Sequence, residues 1–200
     1  TREGVRKVIA AEQKKMKAFE KEKVRIYKME EFERQNEEKG YICGIDEVGR
    51  GPLAGPVMAG AVILPPNCDI LYLNDSKQLS EKKREELYDI IMEKAIAVGI
   101  GAATPARIDE INILQADYEA MAQAVGKLTV KPDVLLIDAV HIPQLEAYEQ
   151  ISIIKGDAKS VSIAAASIVA KVTRDRLMKE LDAQYPAYGF AQNKGYGSAE

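Results

Sequence analysis

Five short apolar runs stand out along the chain, each bounded by glycine, proline or polar residues. The first begins at Tyr41 and breaks into glycines after Val48, and the other four cover residues 56–64, 97–103, 134–137 and 151–154. Runs of this length and composition are typical of strands. Residues 134–137 are apolar throughout, which predicts a central strand that is buried on both faces.

Between and after these runs the sequence has the spacing of helices. Ser80 is a predicted N-cap for a helix that extends to about residue 97, and Pro105 opens a short helix. Longer helices are predicted over 114–128 and over 160–181, and an irregular, glycine-rich tail follows from Tyr185. Strands in succession, followed by strands that alternate with helices, indicate an α/β fold with a mixed central sheet flanked by helices.

Residues 2–38 differ from the rest of the chain. They contain no proline and only sparse apolar residues near helical spacing, which predicts a long, weakly amphipathic helix or helix pair ended by Gly40. We therefore divide the chain into an N-terminal helical extension, residues 1–40, and a main domain, residues 41–200. An exposed appendage that adds little to the core is the favoured interpretation of the extension. Contact with a substrate or partner is the alternative.

The composition narrows the class of protein. No apolar run approaches the ~18 residues of a membrane span, and the N-terminus lacks the apolar core of a secretion signal. Two cysteines, Cys43 and Cys68, are too few for a disulfide framework and are expected to be reduced thiols of a cytoplasmic protein. A structural zinc site is not expected, because His141 is the single histidine and no CxxC motif occurs.

The charge is unevenly distributed. The chain has a net charge of −3, but residues 1–40 carry 12 basic against 9 acidic residues, whereas residues 41–154 carry 9 against 17. Residues 155–200 are again mildly basic, with 7 against 5. An acidic middle that faces a phosphodiester requires cations in between. Charge alone therefore does not identify a nucleic-acid partner.

Four acidic residues follow apolar runs. Asp46 and Glu47 come at the end of the first run, Asp138 follows residues 134–137, and Asp157 follows residues 151–154. In an α/β sheet such strand ends converge on one crevice. Anions held near a core are costly unless they are paired or bound to metal. Mg²⁺ or Mn²⁺, which prefer oxygen ligands, is the expected cofactor.

Each acid also has an ordinary structural interpretation. Asp157 alone fits a helix N-cap, and Asp138 alone fits a turn. The adjacent pair Asp46 and Glu47 is harder to explain structurally. Neighbours on a regular strand point to opposite faces, so both reach one metal centre only at a bend or strand end. The glycines of residues 48–51 supply the expected break.

Several polar segments are candidates for substrate contact. Gly49-Arg50-Gly51 is either a loop whose backbone approaches a ligand closely or a simple tight turn. Residues 74–77 form either a phosphate-binding turn or a solvated one. Tyr196 lies in a glycine-rich stretch, where an aromatic ring can stack on a sugar or base. Charged residues of the 160–181 helix are expected on a solvated face, and His141 is expected to be a bystander.

Six segments together resemble the bacterial ribonuclease HII family, the type 2 ribonucleases H. They are, in order, GIDEVGRGPLAGPV, LNDSKQLSEKKREEL, DEINILQA, LLIDA, IIKGDAKSVSIAAASIVAKVTRDRLM and YGFAQNKGYG. The resemblance covers about residues 41–200, and the first and fifth segments are the most specific. The resemblance implies a ribonuclease H-like fold. It also implies hydrolysis of the RNA strand of RNA–DNA hybrids and incision at single ribonucleotides embedded in duplex DNA.

The resemblance assigns roles to particular residues. The family's metal-binding acids fall on Asp46, Glu47, Asp138 and Asp157. Its substrate contacts fall on a second group: the ribose-reading Gly49, Arg50 and Gly51, the cooperating Tyr196, and the backbone contacts Asn74, Ser76 and Lys77. Lys171 is included as a further candidate substrate contact.

The implied mechanism uses two divalent ions about 4 Å apart and leaves 3′-hydroxyl and 5′-phosphate ends. The expected partners are RNA–DNA hybrids and ribonucleotide-containing duplexes, bound by a monomer. Family members usually continue past the equivalent of Glu200 into a further helical stretch, so the sequence is expected to be incomplete there. Two rivals remain: a magnesium-dependent phosphotransferase, although no GxxxxGK[ST] motif occurs, and a catalytically silent hybrid-binding module.

Overall fold

The computed structural model describes residues 2–197. Residue 1, where the predicted N-terminal extension begins, and residues 198–200, where the predicted main domain ends, lie outside the described residues. Seven α-helices and five strands are found in the described part. The helices are α1 (Arg2–Met29), α2 (Glu31–Asn36), α3 (Glu81–Lys94), α4 (Pro105–Ile111), α5 (Ile113–Gly126), α6 (Val161–Gln184) and α7 (Phe190–Asn193). The strands are β1 (Ile42–Val48), β2 (Val57–Ile63), β3 (Ala97–Ala103), β4 (Val134–Asp138) and β5 (Glu149–Ile153).

The five strands form one mixed sheet in the order β3-β2-β1-β4-β5. Strands β1, β2 and β3 pair in antiparallel fashion, whereas β1, β4 and β5 run parallel. This arrangement confirms the predicted α/β class and the mixed sheet. It also gives β1, β4 and β5 a common carboxyl-terminal edge, the usual position of a ligand site in such sheets.

Helices α5 and α6 cover opposite faces of the sheet, and both lie unusually close to it. A Cβ atom added to Gly101 of β3 would lie 1.8 Å from the carbonyl oxygen of Ala120 in α5. A Cβ atom on Gly44 of β1 would lie 2.0 Å from the backbone of Ser162 in α6. Small residues on both partners therefore permit this packing.

The N-terminal extension has two parts. Residues 2–21 are exposed, whereas Ile26 and Met29 are buried in the cluster that includes Val169 of α6. Glu33 Oε1 accepts hydrogen bonds from Ser160 Oγ (2.5 Å) and from the Ser162 amide (3.0 Å). The expectation that this segment adds little to the core is therefore wrong for its last third, because Ile26 and Met29 are buried in the core and Glu33 binds the start of α6.

The start of α6 settles one of the alternatives left by the sequence. Ser160 is the N-cap, and its hydroxyl accepts a hydrogen bond from the Ile163 amide. Asp157 instead lies in a short 3₁₀ turn, Gly156–Ala158, so it is not a helix cap. The tail beyond Tyr185 is less irregular than predicted, since it contains a 3₁₀ turn and α7. Across residues 2–197, no helix has the length and apolar character required to cross a membrane.

Candidate active site

All four predicted acids lie at the carboxyl-terminal edge shared by the parallel strands. Asp46 and Glu47 are in the last three residues of β1, and Asp138 is the last residue of β4. Asp157 follows β5 in the 3₁₀ turn. The charges interact with one another, since Asp138 raises the pKa of each of the other three acids. The structure therefore brings together the four acids that the sequence expected to converge on one crevice.

Asp46 is buried against α6, with 5% of its surface exposed. Burial raises its pKa well above the ordinary value, and the negative charges of Glu47 and Asp138 raise it further. The Ser167 hydroxyl lies beside this carboxyl group and opposes the shift. Ser167 Oγ also donates to Ser76 Oγ over 2.9 Å, so the 74–77 turn is tied to the residues around Asp46.

Glu47 points to the opposite face of the sheet, toward α5. Burial raises the pKa of Glu47 above its ordinary value, and the Arg50 guanidinium, 3.8 Å away, offsets part of the rise. β1 stays paired with β2 through Val48, so both acids lie on regular strand near its end. The chain breaks at Gly49, where φ is +100°, within residues 48–51 as the sequence predicted. Asp46 and Glu47 therefore leave the strand on different faces, as neighbours in any regular strand do.

Asp138 and Asp157 are held by the turn that follows β5. The Gly156 amide donates to Asp138 Oδ1 over 2.7 Å, which fixes one carboxylate oxygen. Burial raises the pKa of Asp157 to about 6, and the charges of Asp75 and Asp138 contribute. Lys155, just before the turn, has a left-handed backbone conformation with φ of +57°. The turn thus places a fourth carboxyl group beside the strand ends.

The donor set fits a hard divalent cation. All four groups offer oxygen, and the one cation within salt-bridge distance of them among residues 2–197 is Arg50. Crowded, poorly neutralised carboxylates of this kind are stabilised by Mg²⁺ or Mn²⁺. Among the described residues, no three His, Cys, Asp or Glu side chains are arranged to hold an ion in their present conformation. The fit is therefore one of donor chemistry and not of a closed ligand shell.

The glycine-arginine loop and Tyr196 lie side by side. A Cβ atom on Gly51 would be 3.5 Å from Cε1 of Tyr196. The Gly195 carbonyl accepts hydrogen bonds from the amides of Leu53 (2.9 Å) and Ala54 (3.2 Å), which joins the two loops. The Tyr196 ring is nearly half exposed beside them, so it is available to a ligand at this edge.

Arg174 is a residue that the sequence interpretation missed. It was expected on a solvated helical face, but it is fully buried. Its guanidinium donates to the carbonyl oxygens of Pro56 (3.0 Å), Ala54 (2.9 Å) and Lys194 (2.8 Å). It therefore fastens the loop after Gly51 to the loop that carries Tyr196. The sequence offered no direct signal, because the carbonyl partners are ordinary backbone.

Asp117 of α5 is a second missed residue. It is fully buried, and neither carboxylate oxygen has a hydrogen-bond partner among the residues described. Arg50 Nη1 lies 3.5 Å from Asp117 Oδ2. Burial and the charge of Glu47 raise the pKa of Asp117 to about 7. The available signal was its position among Ala116, Ala120 and Met121 on the apolar face of a helix, where a lone acid is unexpected.

The remaining substrate candidates are dispersed. In the 74–77 turn, Asn74 and Asp75 accept hydrogen bonds from local backbone amides, Ser76 is buried and Lys77 is exposed. The charge of Lys77 still offsets part of the rise that burial causes in the pKa values of Glu47 and Asp157. Lys171 Nζ donates to Asp175 Oδ1 over 2.7 Å.

Comparison with known proteins decides the family. The family model described as Ribonuclease HII matches residues 43–200. The chain belongs to the ribonuclease HII family. A ribonuclease HII of Lachnoclostridium phytofermentans is 64% identical over 199 residues, covering the whole chain and 78% of that relative. The family is one of endoribonucleases, so the protein is a hydrolase that cleaves RNA in RNA–DNA hybrids.

Solved structures of ribonucleases H share the fold. The ribonuclease H2 of Pyrococcus horikoshii superimposes with a TM-score of 0.67 and 30% identity, over 80% of this chain and 82% of that one. A Bst ribonuclease HIII in complex with Mn²⁺ superimposes with a TM-score of 0.58 over 74% of this chain and 56% of that one. At 19% identity it shows the fold alone. The ribonuclease H-like architecture expected from the sequence is confirmed.

Proposed function

We propose that this ribonuclease H also incises duplex DNA at single embedded ribonucleotides, by two-metal-ion catalysis at Asp46, Glu47, Asp138 and Asp157. The observation that carries the proposal is the gathering of these four carboxyl groups at one sheet edge, next to the glycine-arginine loop. The raised pKa values of Asp46, Glu47 and Asp157 support it, because bound cations would relieve the burial and repulsion that cause them.

Two bound divalent ions would activate a water molecule and stabilise the leaving oxygen, giving 3′-hydroxyl and 5′-phosphate ends. Mg²⁺ and Mn²⁺ are the proposed ions. The Mn²⁺ complex of the Bst ribonuclease HIII concerns a distant relative, but its metal agrees with an all-oxygen donor set. The chain's own part is to hold the carboxylates in place, through the Gly156 amide on Asp138 and the Ser167 hydroxyl beside Asp46.

Recognition of RNA must use the 2′-hydroxyl, the group that distinguishes ribose from deoxyribose. We assign this role to the backbone amides of Gly49 and Gly51, with the Tyr196 ring stacked on the sugar. The short distance between Gly51 and Tyr196 supports a single ribose site built from both loops. The buried Arg174, which holds the two loops together, would keep that site formed before the substrate arrives.

The remaining contacts are to the sugar-phosphate backbone. Asn74, Ser76 and Lys77 are proposed to bind phosphate, and exposed Lys77 is the best placed of the three. Lys171 is retained as a weaker candidate, since Asp175 already accepts a hydrogen bond from it. A monomer suffices for this arrangement, because every proposed contact comes from one chain.

The test compares four substrates of equal length: an RNA–DNA hybrid, a DNA duplex with one ribonucleotide, an all-DNA duplex and single-stranded RNA. The proposal expects metal-dependent cleavage of the first two alone, with one incision site in the single-ribonucleotide duplex. Cleavage of the hybrid without incision of the single-ribonucleotide duplex would contradict the proposed specificity. Binding of both without cleavage would favour a silent binding module.

A further inference from the structure

Helix α1 carries far more positive charge than the chain as a whole. It has ten basic and four acidic residues, against a net charge of −3 for all 200 residues. At about 100° per residue, seven of the ten basic residues fall within an arc of about 100°. They are Arg6, Lys7, Lys14, Lys17, Lys21, Arg25 and Lys28, here called the basic stripe. Glu3 is the one acidic residue of α1 in that arc.

The basic stripe is free of internal partners over most of its length. All its members except Arg25 are exposed. Lys7 pairs with Glu3 and Arg25 with Glu22, but no salt bridge involves the other five among residues 2–197. From Arg6 to Lys28 the stripe is about 33 Å long at about 1.5 Å per residue, close to one turn of duplex. An unneutralised row of cations of this length is complementary to a nucleic-acid backbone.

The attachment of α1 makes the stripe continuous with the proposed active-site surface. Arg25 Nη2 donates to the Leu73 carbonyl oxygen over 2.6 Å, and the Tyr72 amide donates to Glu22 Oε1 over 2.7 Å. Leu73 immediately precedes the 74–77 turn, whose Lys77 acts on the pKa of Glu47 and Asp157. The helix is therefore docked at the turn to which we assigned phosphate contacts, and its basic residues extend away from it.

We propose that the basic stripe of α1 is a second phosphate-binding surface, which grips the duplex beyond the cleavage site. The partner is a nucleic-acid duplex, bound through its backbone without regard to sequence. This inference rests on the proposed function only for the location of the cleavage site. The opposite side of α1 is an exposed apolar stripe containing Val5, Ile9, Met16 and Phe19, so pairing of α1 with a second copy of the chain is the competing outcome.

The same helix offers a matched control. Lys14→Gln/Lys21→Gln removes two charges from the stripe, whereas Lys15→Gln/Lys23→Gln removes two exposed charges that lie off it. Glutamine and lysine have similar helix propensities, so both variants should keep α1 intact, which circular dichroism would check. Binding to all-DNA duplexes of about one and about three helical turns is measured without metal across a range of salt concentrations.

The stripe variant is expected to bind the long duplex more weakly, with a salt slope smaller by up to about 1.8. When the salt concentration rises from about 50 to 200 mM, the affinity of the stripe variant should therefore fall by a factor about tenfold smaller than the affinity of the wild type. Lengthening the duplex should strengthen binding by the wild type and the control variant, and should strengthen binding by the stripe variant less. Cleavage rates at saturating substrate should stay at the wild-type level in both variants.

Identical salt slopes for the two variants would overturn the proposal. So would unchanged duplex binding by the stripe variant in a protein that sediments as a dimer, since that result identifies α1 as a protein interface. Because the readout is binding of an all-DNA duplex without metal, it does not depend on incision at ribonucleotides. A protein that fails to incise but shows the expected salt slopes would refute the proposed function and retain this surface.

Discussion

Replacing Asp117 by asparagine should stabilise the protein, and the gain should grow with pH. Burial and the charge of Glu47 raise the pKa of Asp117 from its ordinary 3.8 to about 7. The contribution of such a carboxyl group to the free energy of unfolding is fully present below pH 3.8, where the group is protonated in both the folded and the unfolded state. It is lost as the pH rises through about 7, because the unfolded state releases the proton more readily than the folded state. At about 1.36 kcal/mol per pKa unit, the total loss is about 4 kcal/mol, of which about 2.6 kcal/mol falls between about pH 5 and pH 8.

The assay is denaturant unfolding of wild type and Asp117→Asn at about pH 5 and pH 8, with a chelator present to remove metal. The free energy of unfolding of the variant, minus that of the wild type, should rise by about 2 to 3 kcal/mol from the lower to the higher pH. The comparison across pH cancels the packing effect of the amide itself. Asp109→Asn removes the same charge from an exposed position on α4 and should follow the wild type. A pH-independent difference for Asp117→Asn would refute the reasoning.

Three further outcomes are expected. Asp46→Asn should abolish cleavage, and it should raise the metal-free stability because it removes a charge from a crowded, buried cluster. Asp157→Asn should lose less activity, and equal losses of the two variants in single-turnover assays would contradict this order. Tyr196→Ala should slow single-turnover cleavage of a single-ribonucleotide duplex with little change in duplex binding, and Tyr196→Phe should be tolerated, because a stacked ring contributes roughly 1–3 kcal/mol without its hydroxyl. Ile26→Ala should lower the free energy of unfolding by about 2–4 kcal/mol, whereas the exposed Val8→Ala should change it by less than about 0.5 kcal/mol.

The sequence predicted the sheet well because each strand has a strong local signature. The run 97–103 and the strand β3 coincide, and Ser80 caps α3 as expected. The sequence also predicted which acids would lie together. Asp46, Asp138 and Asp157 each follow an apolar run, and the family motifs contain the same residues. These features depend on short stretches of chain, in which local propensity and burial agree.

What the sequence did not predict depends on contacts between distant segments. Arg174 has the same local context as any charged helical residue, and only the approach of the 54–56 and 194–196 loops makes it a buried donor to three carbonyl groups. The docking of Ile26 likewise depends on a cleft that other elements form.

The central claim is that the acids at the carboxyl-terminal edge of β1, β4 and β5 form a metal-dependent catalytic centre. The most direct test is the single-turnover rate of incision of a single-ribonucleotide duplex as Mg²⁺ is increased, for wild type and Asp138→Asn. The account predicts no incision by the wild type without metal, a saturable rise with Mg²⁺, and no product from the variant at any concentration. Near-normal incision by Asp138→Asn at saturating Mg²⁺, or incision by the wild type in a chelator, would contradict it.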